Sequence, residues 1–161
     1  MDEPESFRRA TELWQEAYRR QMKGKLDEAI ELYQRSIEVC PTAEAHTFLG
    51  WTLSFQGLLE EATEECLRAI EIDPEFGNPY NDIGVYLIEK GEYDEAIPWL
   101  QKAMAAKRYE PRHYPHLNMG RVLVRKGRFQ EAIQEMKRAL AIEPNYTQAR
   151  IELHKLLGML N

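Results

Sequence analysis

Apolar side chains recur along this chain three and four positions apart, which is the period of an amphipathic helix. Examples are the i, i+4 pairs Leu49–Leu53, Ile83–Leu87 and Met119–Leu123. Glycine or proline follows most of these apolar runs and predicts where the helices end. The pattern predicts an all-α chain with helices at about 6–22, 26–39, 43–56, 59–72, 77–90, 93–107, 114–126, 129–142 and 146–159.

Small residues recur in phase along the same helices. Four glycines, spaced by 33, 34 and 36 residues, lie at Gly24, Gly57, Gly91 and Gly127. Each is followed by an alanine and then by a second small residue: Ala29 and Ser36, Ala62 and Ala69, Ala96 and Ala103, Ala132 and Ala139. Each is preceded by another small residue, at Ala17, Gly50, Gly84 or Gly120, and three units end at Pro41, Pro74 and Pro144. Four units in phase indicate an internal repeat.

The repeat predicts a hairpin of two closely packed helices. Small side chains such as Gly50 and Ala62 allow the two helix axes to approach, while larger apolar residues fill the adjoining space. A glycine such as Gly57 ends the first helix because it adopts a left-handed conformation at low cost. A proline such as Pro74 ends the second helix because it cannot continue it.

On these residues the chain resembles the tetratricopeptide repeat (TPR) family over residues 10–146. The resemblance implies an all-α, right-handed superhelix of four hairpins, at about 10–42, 43–76, 77–112 and 113–146, within one domain spanning 1–161. A capping helix is expected at about 146–159, with Leu153 and Leu157 in packing register. The chain departs from the family where Cys66 and Met136 replace a usual aromatic residue.

The third repeat departs furthest from the pattern. It runs two residues long, which delays its proline to Pro111, and Pro98 interrupts its second helix and risks a kink. Repeats three and four, with the 36-residue glycine spacing and Tyr109 ahead of a proline, are also similar to pilotin-type TPR proteins of type IV pilus assembly. Those proteins carry a lipidated signal sequence, which is not expected here.

Composition and charge narrow the class of partner. With 43% apolar and 30% charged residues the chain is typical of a folded domain, and its net charge of −6 disfavours nucleic acid or an anionic membrane as partner. No apolar run approaches the roughly 18 residues that a membrane span requires. The cytoplasm is therefore the expected compartment, with Cys40 and Cys66 as reduced thiols.

No catalytic or cofactor-binding motif is present, and we expect neither an enzyme nor a cofactor. His113 and His116 are three residues apart, a spacing that can ligate metal, but no acidic or thiol partner stands nearby in the sequence. Ordinary surface histidines, and no metal, are the expectation.

The resemblance implies a binding groove along the first helices of the hairpins. Its expected partner-binding residues are Trp14, Tyr18, Phe48, Trp51, Phe55, Asn81, Asn118, Arg121 and Arg125. The aromatic residues either bind a partner or pack against a neighbouring helix. Asn81 and Asn118 are expected to contact a peptide backbone, and Asn78 to cap a helix.

These residues predict a cytoplasmic adaptor that holds a peptide or partner protein in the groove. The aromatic residues would anchor apolar side chains, and Arg121 with Arg125 would pair with an acidic side chain or a terminal carboxylate. The alternative is a self-associating scaffold, pilus- or secretion-related, built on the apolar last helix, in which Ile151, Met159 and Leu160 would face another chain. A monomer is expected over a homodimer.

Overall fold

The computed structural model describes residues 3–161, so Met1 and Asp2 lie outside the description. Within that range the chain forms nine helices: α1 (Glu5–Met22), α2 (Leu26–Val39), α3 (Ala43–Phe55), α4 (Leu59–Ile72), α5 (Asn78–Glu89), α6 (Tyr93–Ala105), α7 (His113–Arg125), α8 (Phe129–Ile142) and α9 (Thr147–Met159). The helices predicted from the sequence are confirmed, with every end within two residues. Consecutive helices pack against each other, and α1, α3, α5 and α7 also contact one another in order, giving an all-α superhelical repeat fold.

The turn inside each hairpin has the same backbone structure four times. The four turn glycines have φ between 74° and 79°, in the left-handed region that was predicted for them. The residue after each glycine donates its N–H five residues back, as in Lys25 to the Arg20 carbonyl and Leu58 to the Leu53 carbonyl. This bond satisfies a carbonyl that the helix end would otherwise leave unpaired.

Each hairpin is closed by a small residue on its first helix facing a larger side chain on its second. In the second hairpin Gly50 lies against Ala62 and the buried Cys66 thiol. In the third and fourth, Gly84 lies against Leu100 and Gly120 against Met136. The replacement of the usual aromatic residue by cysteine or methionine is thus accommodated by a filled, solvent-free contact.

The lengthened third repeat forms an ordered connection rather than a longer helix. The second helix of this repeat ends at Ala105, two residues before its predicted end and six before Pro111, so Pro111 does not terminate it. The connection forms an isolated parallel β-bridge between Phe76 and Arg108. Arg108 also pairs with Asp73, at 2.6 Å, and its guanidinium stacks on the Phe76 ring.

The bridge places the buried Tyr109 directly against Gly77. A Cβ at Gly77 would lie 2.5 Å from the Tyr109 side chain. The extra residues of the repeat therefore tie two hairpins together. Pro98 is the sixth residue of α6, and the helix continues through it to Ala105.

The last helix packs against the core through Leu153, as predicted, but through Leu156 in place of Leu157. Leu156 is buried, with 3% of its surface exposed, whereas Leu157 is 40% exposed, so the prediction for Leu157 was wrong. Ala149 is buried and Leu153 is half-buried against the same core. Ala149, Leu153 and Leu156 follow the i, i+4, i+7 spacing of one helix face, and Leu157, at i+8, lies at the solvent-exposed edge of that face.

The contact at Gly50 generates a stability prediction. A Cβ at this position would lie 2.8 Å from the Ala62 carbonyl oxygen, a backbone atom that cannot turn aside. Gly50→Ala should therefore lower the free energy of unfolding by about 1–3 kcal/mol, measured by urea unfolding followed by circular dichroism. The matched control is Gly158→Ala, where nothing lies within 4 Å of the added Cβ, and its stability should be unchanged or slightly higher. Equal stability of the two variants would contradict the close packing of α3 on α4.

Candidate functional site

One face of α1, α3, α5 and α7, with parts of the connections before α7 and α9, lines an open cleft of about 720 Å³, here called the A-helix cleft. That volume lies within the range of roughly 300–1,000 Å³ usual for ligand sites. Side chains one helical turn apart supply the lining, because they project from a single face of each helix. The lining consists of Trp14, Tyr18, Phe48, Trp51, Ser54, Phe55, Asn78, Asn81, Asp82, Val85, Tyr86, Glu89, Tyr109, Pro111, Tyr114, Asn118, Arg121 and Tyr146.

All but one of the residues expected in the groove line the A-helix cleft. The exception is Arg125, which lies outside it. Arg125 borders a separate pocket of about 220 Å³ between α7, α8 and α9, and its guanidinium lies 6.0 Å from the centre of the Tyr93 ring. The sequence interpretation required Arg121 and Arg125 to face the cleft together. Only Arg121 does so.

The aromatic residues are both packed and exposed. Phe48 is half-buried, with ring centres 5.5 Å from Trp14 and 5.6 Å from Tyr18, so it joins α3 to α1. Trp51 and Phe55 form a second pair at 5.2 Å. Phe55 is 57% exposed. Each of the two alternatives for these aromatic residues, packing and exposure, therefore holds for a different residue. Phe48 packs between helices, and Phe55 presents its ring to the cleft.

Arg121 is already engaged by a carboxylate of the same chain. It donates to both carboxylate oxygens of Glu152 on α9, the shortest contact being 2.6 Å, and to the Asn118 side-chain oxygen at 3.1 Å. Asn118 in turn donates to the Asn81 side-chain oxygen at 3.0 Å, and both asparagines are buried. A polar chain therefore runs from α5 through α7 to α9, and its arginine is charge-balanced.

Asn78 does not cap α5, contrary to the prediction. It is the first residue of the helix, the preceding cap position is Gly77, and no side chain accepts a capping hydrogen bond there. Pro79 follows at the second helical position, where its fixed φ suits a helix start and its missing N–H costs nothing. The Asn78 side chain instead lines the A-helix cleft.

Four tyrosines of the lining are not among the expected partner-binding residues: Tyr86, Tyr109, Tyr114 and Tyr146. Tyr86 lies one turn after Asp82 on the same face of α5, and that spacing was the one available signal. Tyr109 and Tyr146 lie outside the helices, in the connections before α7 and α9, where helical periodicity carries no information.

Asp82 is the unusual charge of the cleft. Burial raises the pKa of its carboxyl from an ordinary 3.8 to about 7, and the side chain of Asn81 only partly offsets that effect. Burial disfavours the ionised form of a carboxyl, and its pKa rises when no nearby cation compensates the charge. Perturbed pKa values of this kind, in a cleft, mark candidate functional residues.

The histidines that were considered as metal ligands make other contacts. His116 Nδ1 lies 2.7 Å from Glu135 Oε2, and the same contact recurs in the second hairpin between His46 and Glu65. The His113 ring meets the Tyr146 ring edge-on. Among residues 3–161, no three His, Cys, Asp or Glu side chains form a group that could hold a metal ion. In the same range, no helix has the length and apolar character needed to cross a membrane.

The stacked hairpins and the cleft along their first helices define a helical-repeat solenoid with an open groove. Sequence profiles described as tetratricopeptide repeat match residues 9–44, 43–76 and 75–145. Together these matches cover the four hairpins, and the chain belongs to the tetratricopeptide repeat family.

Two curated relatives share part of this sequence. The chain is 33% identical over 75 residues, 46% of its length, to the TPR repeat-containing thioredoxin TTL4 of Arabidopsis thaliana. It is 33% identical over 78 residues, 47% of its length, to the small glutamine-rich tetratricopeptide repeat-containing protein 2 of Mycosarcoma maydis. These matches span 11% and 22% of the two relatives, so the chain corresponds to less than a quarter of either protein.

Solved structures with the same fold extend over nearly the whole chain. Pseudomonas aeruginosa pilF superposes with a TM-score of 0.90 at 22% identity, covering 97% of this chain and 71% of that one. PilW, a widely conserved type IV pilus biogenesis factor, gives 0.85 at 21% identity, with 93% and 69% covered. YrrB, a TPR protein with an unusual peptide-binding site, gives 0.68 at 18% identity, with 89% and 73% covered. The likeness to pilus-related TPR proteins is confirmed as one of fold.

Asp82 generates a prediction about stability and pH. Its carboxyl has a pKa of 3.8 in the unfolded chain and about 7 in the folded one, so the folded state keeps its proton longer. The contribution of Asp82 to the free energy of unfolding should therefore fall as pH rises from 4 to 7 and stay low at higher pH. Asp82→Asn removes this penalty, and each pKa unit of difference corresponds to about 1.4 kcal/mol.

The measurement is urea unfolding of both proteins at pH 4, 5.5 and 8. The advantage of Asp82→Asn over the unmodified chain should grow with pH and level off above 7. An advantage that is the same at pH 4 and pH 8 would show that the Asp82 carboxyl is well solvated in the folded state.

Proposed function

We propose that this chain is a non-catalytic adaptor that binds an extended segment of another protein in the A-helix cleft. The observation that carries the proposal is the run of half-buried and exposed aromatic side chains facing open space in the cleft. Large rigid aromatic residues are the types that supply binding energy at protein interfaces. The fold it shares with YrrB, whose structure is described by its peptide-binding site, supports the same reading.

The aromatic residues divide the binding task between packing and contact. Trp14 and Phe48 are held by each other and fix the wall of the cleft. Tyr18 and Phe55 leave 38% and 57% of their surfaces exposed to a partner. A wall already held in place loses little conformational freedom when a partner binds, which favours affinity.

The proposed partner is a protein segment with apolar side chains for the aromatic end. An acidic group directed at Arg121 was the finer expectation, but such a group would have to displace Glu152 from its two-oxygen contact. Arg125 lies outside the cleft and adds nothing there. The aromatic end therefore carries the proposal, and the arginines do not. The cytoplasmic location stays a prediction that fractionation of the native cell would check.

The test uses a double variant, Trp51→Ala with Phe55→Ala. Partners are captured from an extract of the native cell, identified, and titrated as purified peptides by calorimetry. Because both side chains line the cleft, the variant should weaken binding at least tenfold while leaving the helical circular-dichroism spectrum in place. The matched control, Leu67→Ala with Ile72→Ala, removes exposed apolar surface on α4 outside the cleft and should bind normally. Equal affinities of the two double variants would contradict a cleft-binding adaptor.

Self-association through α9 is a second candidate function. Three residues of α9 and the residue that follows it are large, apolar and exposed: Ile151, Leu157, Met159 and Leu160. They lie beyond the stripe that packs on α8, next to the 220 Å³ pocket that Leu156 and Met159 border. Such a surface is suited to a second apolar helix.

Ile151→Lys with Leu160→Lys separates the two candidates, because neither residue is buried and both substitutions should be tolerated in a monomer. Light scattering over a hundredfold range of concentration gives the mass of each protein. We expect a monomer before and after the change, as the adaptor requires. A dimer that the lysine substitutions dissociate would instead favour the scaffold.

A further inference from the structure

We infer that the floor of the A-helix cleft binds a basic side chain, lysine or arginine, carried by the partner segment. The inference rests on the proposed function and adds to it the chemistry of the group that is recognised. It is carried by three features of the lining: an uncompensated carboxylate at Asp82, an unpartnered hydroxyl at Tyr86, and an excess of negative over free positive charge.

Asp82 supplies the charge that such a group requires. Its half-buried carboxyl lines the cleft on α5. The group that stabilises its ionised form is the neutral Asn81 amide, through a hydrogen bond. Most carboxylates elsewhere in the described chain that are as shielded have cations beside them, as Glu65 has Arg68 and Glu135 has Arg138. An ammonium or guanidinium entering the cleft would complete the same pairing at Asp82.

Tyr86 supplies an independent polar group on the same floor. Only 2% of its surface is exposed, and its hydroxyl, which lies near the Ser54 hydroxyl and the Cys66 thiol, makes no hydrogen bond of good geometry within residues 3–161. Burying a hydroxyl without a hydrogen bond is unfavourable, and a bound donor would offset that cost. Tyr86 lies one helical turn from Asp82, so one lysine or arginine head group, with several N–H donors, can serve both oxygens.

The charge balance of the cleft favours a cation over an anion. Among its lining residues, Asp82 and Glu89 carry acidic groups on α5, and the only basic side chain is Arg121. Arg121 is paired with Glu152, which leaves Asp82 and Glu89 without a free basic side chain in the lining. The surrounding aromatic faces add to this, because a cation is attracted to the face of an aromatic ring.

The experiment selects ligands rather than assuming one. Random peptides are displayed between two folded domains, so that neither peptide end is free, and are selected on the intact protein and on Asp82→Asn. Asp82→Asn is expected to fold, since it removes a buried charge. A third selection on Glu61→Gln, an exposed acidic residue of α4 outside the cleft, controls for net charge.

The expected result is a lysine or arginine at a fixed position of the peptides selected by the intact protein and by Glu61→Gln, and its loss with Asp82→Asn. Replacing that residue of a selected peptide by glutamine should weaken binding about tenfold to the intact protein and less than twofold to Asp82→Asn. A double-mutant cycle of this form isolates the contact from the rest of the interface.

Three other outcomes are distinguishable. Peptides selected without a basic residue would overturn this inference and leave the adaptor function standing. A basic residue selected equally well by Asp82→Asn would overturn the assignment to Asp82. Selected peptides whose binding is insensitive to Trp51→Ala with Phe55→Ala, or no selected peptides, would overturn the proposed function together with this inference.

The pH profile of binding gives a readout that a purely structural role of Asp82 would not alter. Affinity for the selected lysine peptide should rise between pH 5.5 and 8, since only the ionised carboxyl pairs with the cation, and Asp82→Asn should abolish the rise. The other titratable or charged groups facing Asp82 are Cys66 on α4 with the Glu65–His46 pair behind it, Tyr86 and Glu89 on α5, Tyr109 before α7, and Arg121 on α7. Burial raises the pKa values of Cys66, Tyr86 and Tyr109 away from neutrality. A profile unaffected by Asp82→Asn would overturn the inference.

Discussion

The close approach of two helices at one small residue per hairpin is the contact on which the rest of this structure depends. At Gly50 the backbone of α4 lies so near that even a methyl group would meet the Ala62 carbonyl oxygen. That distance brings the turn glycine into position for its left-handed cap, and it sets how the next hairpin stacks. Because each hairpin contacts mainly its neighbours, the same local contact propagates along the whole array.

Tight packing on one face of the first helices leaves several side chains on the opposite face outside the core. On α5, Ile83 and Gly84 serve the core, whereas Asp82 and Glu89 face the cleft. A side chain that no core contact requires can be polar, aromatic or charged without loss of fold. The residues that the repeat pattern does not constrain therefore determine the chemistry of the A-helix cleft. In this way proteins of one common fold can differ in the partner they bind.

The periodic part of this molecule was predictable and the aperiodic part was not. Apolar periodicity, together with small residues at a fixed spacing in the four repeats, predicted the helices, because glycine geometry and helix packing act over a few residues. The pairing of Arg121 with Glu152 joins residues 31 positions apart and depends on how α9 docks, which no local pattern encodes. The same docking placed Leu156 rather than Leu157 in the core. Tyr109 lines the cleft from the connection between α6 and α7, which has no helical periodicity in its sequence.

The last helix consequently does more than cover the end of the array. By presenting Glu152 to Arg121 it removes the only basic charge from the lining of the cleft. Without that carboxylate, the same groove would present a free arginine together with Asp82 and Glu89. A helix that lies outside the four repeats thus changes the charge balance of the cleft. In a stacked array, a capping element that reaches into the groove can change specificity while every repeat stays the same.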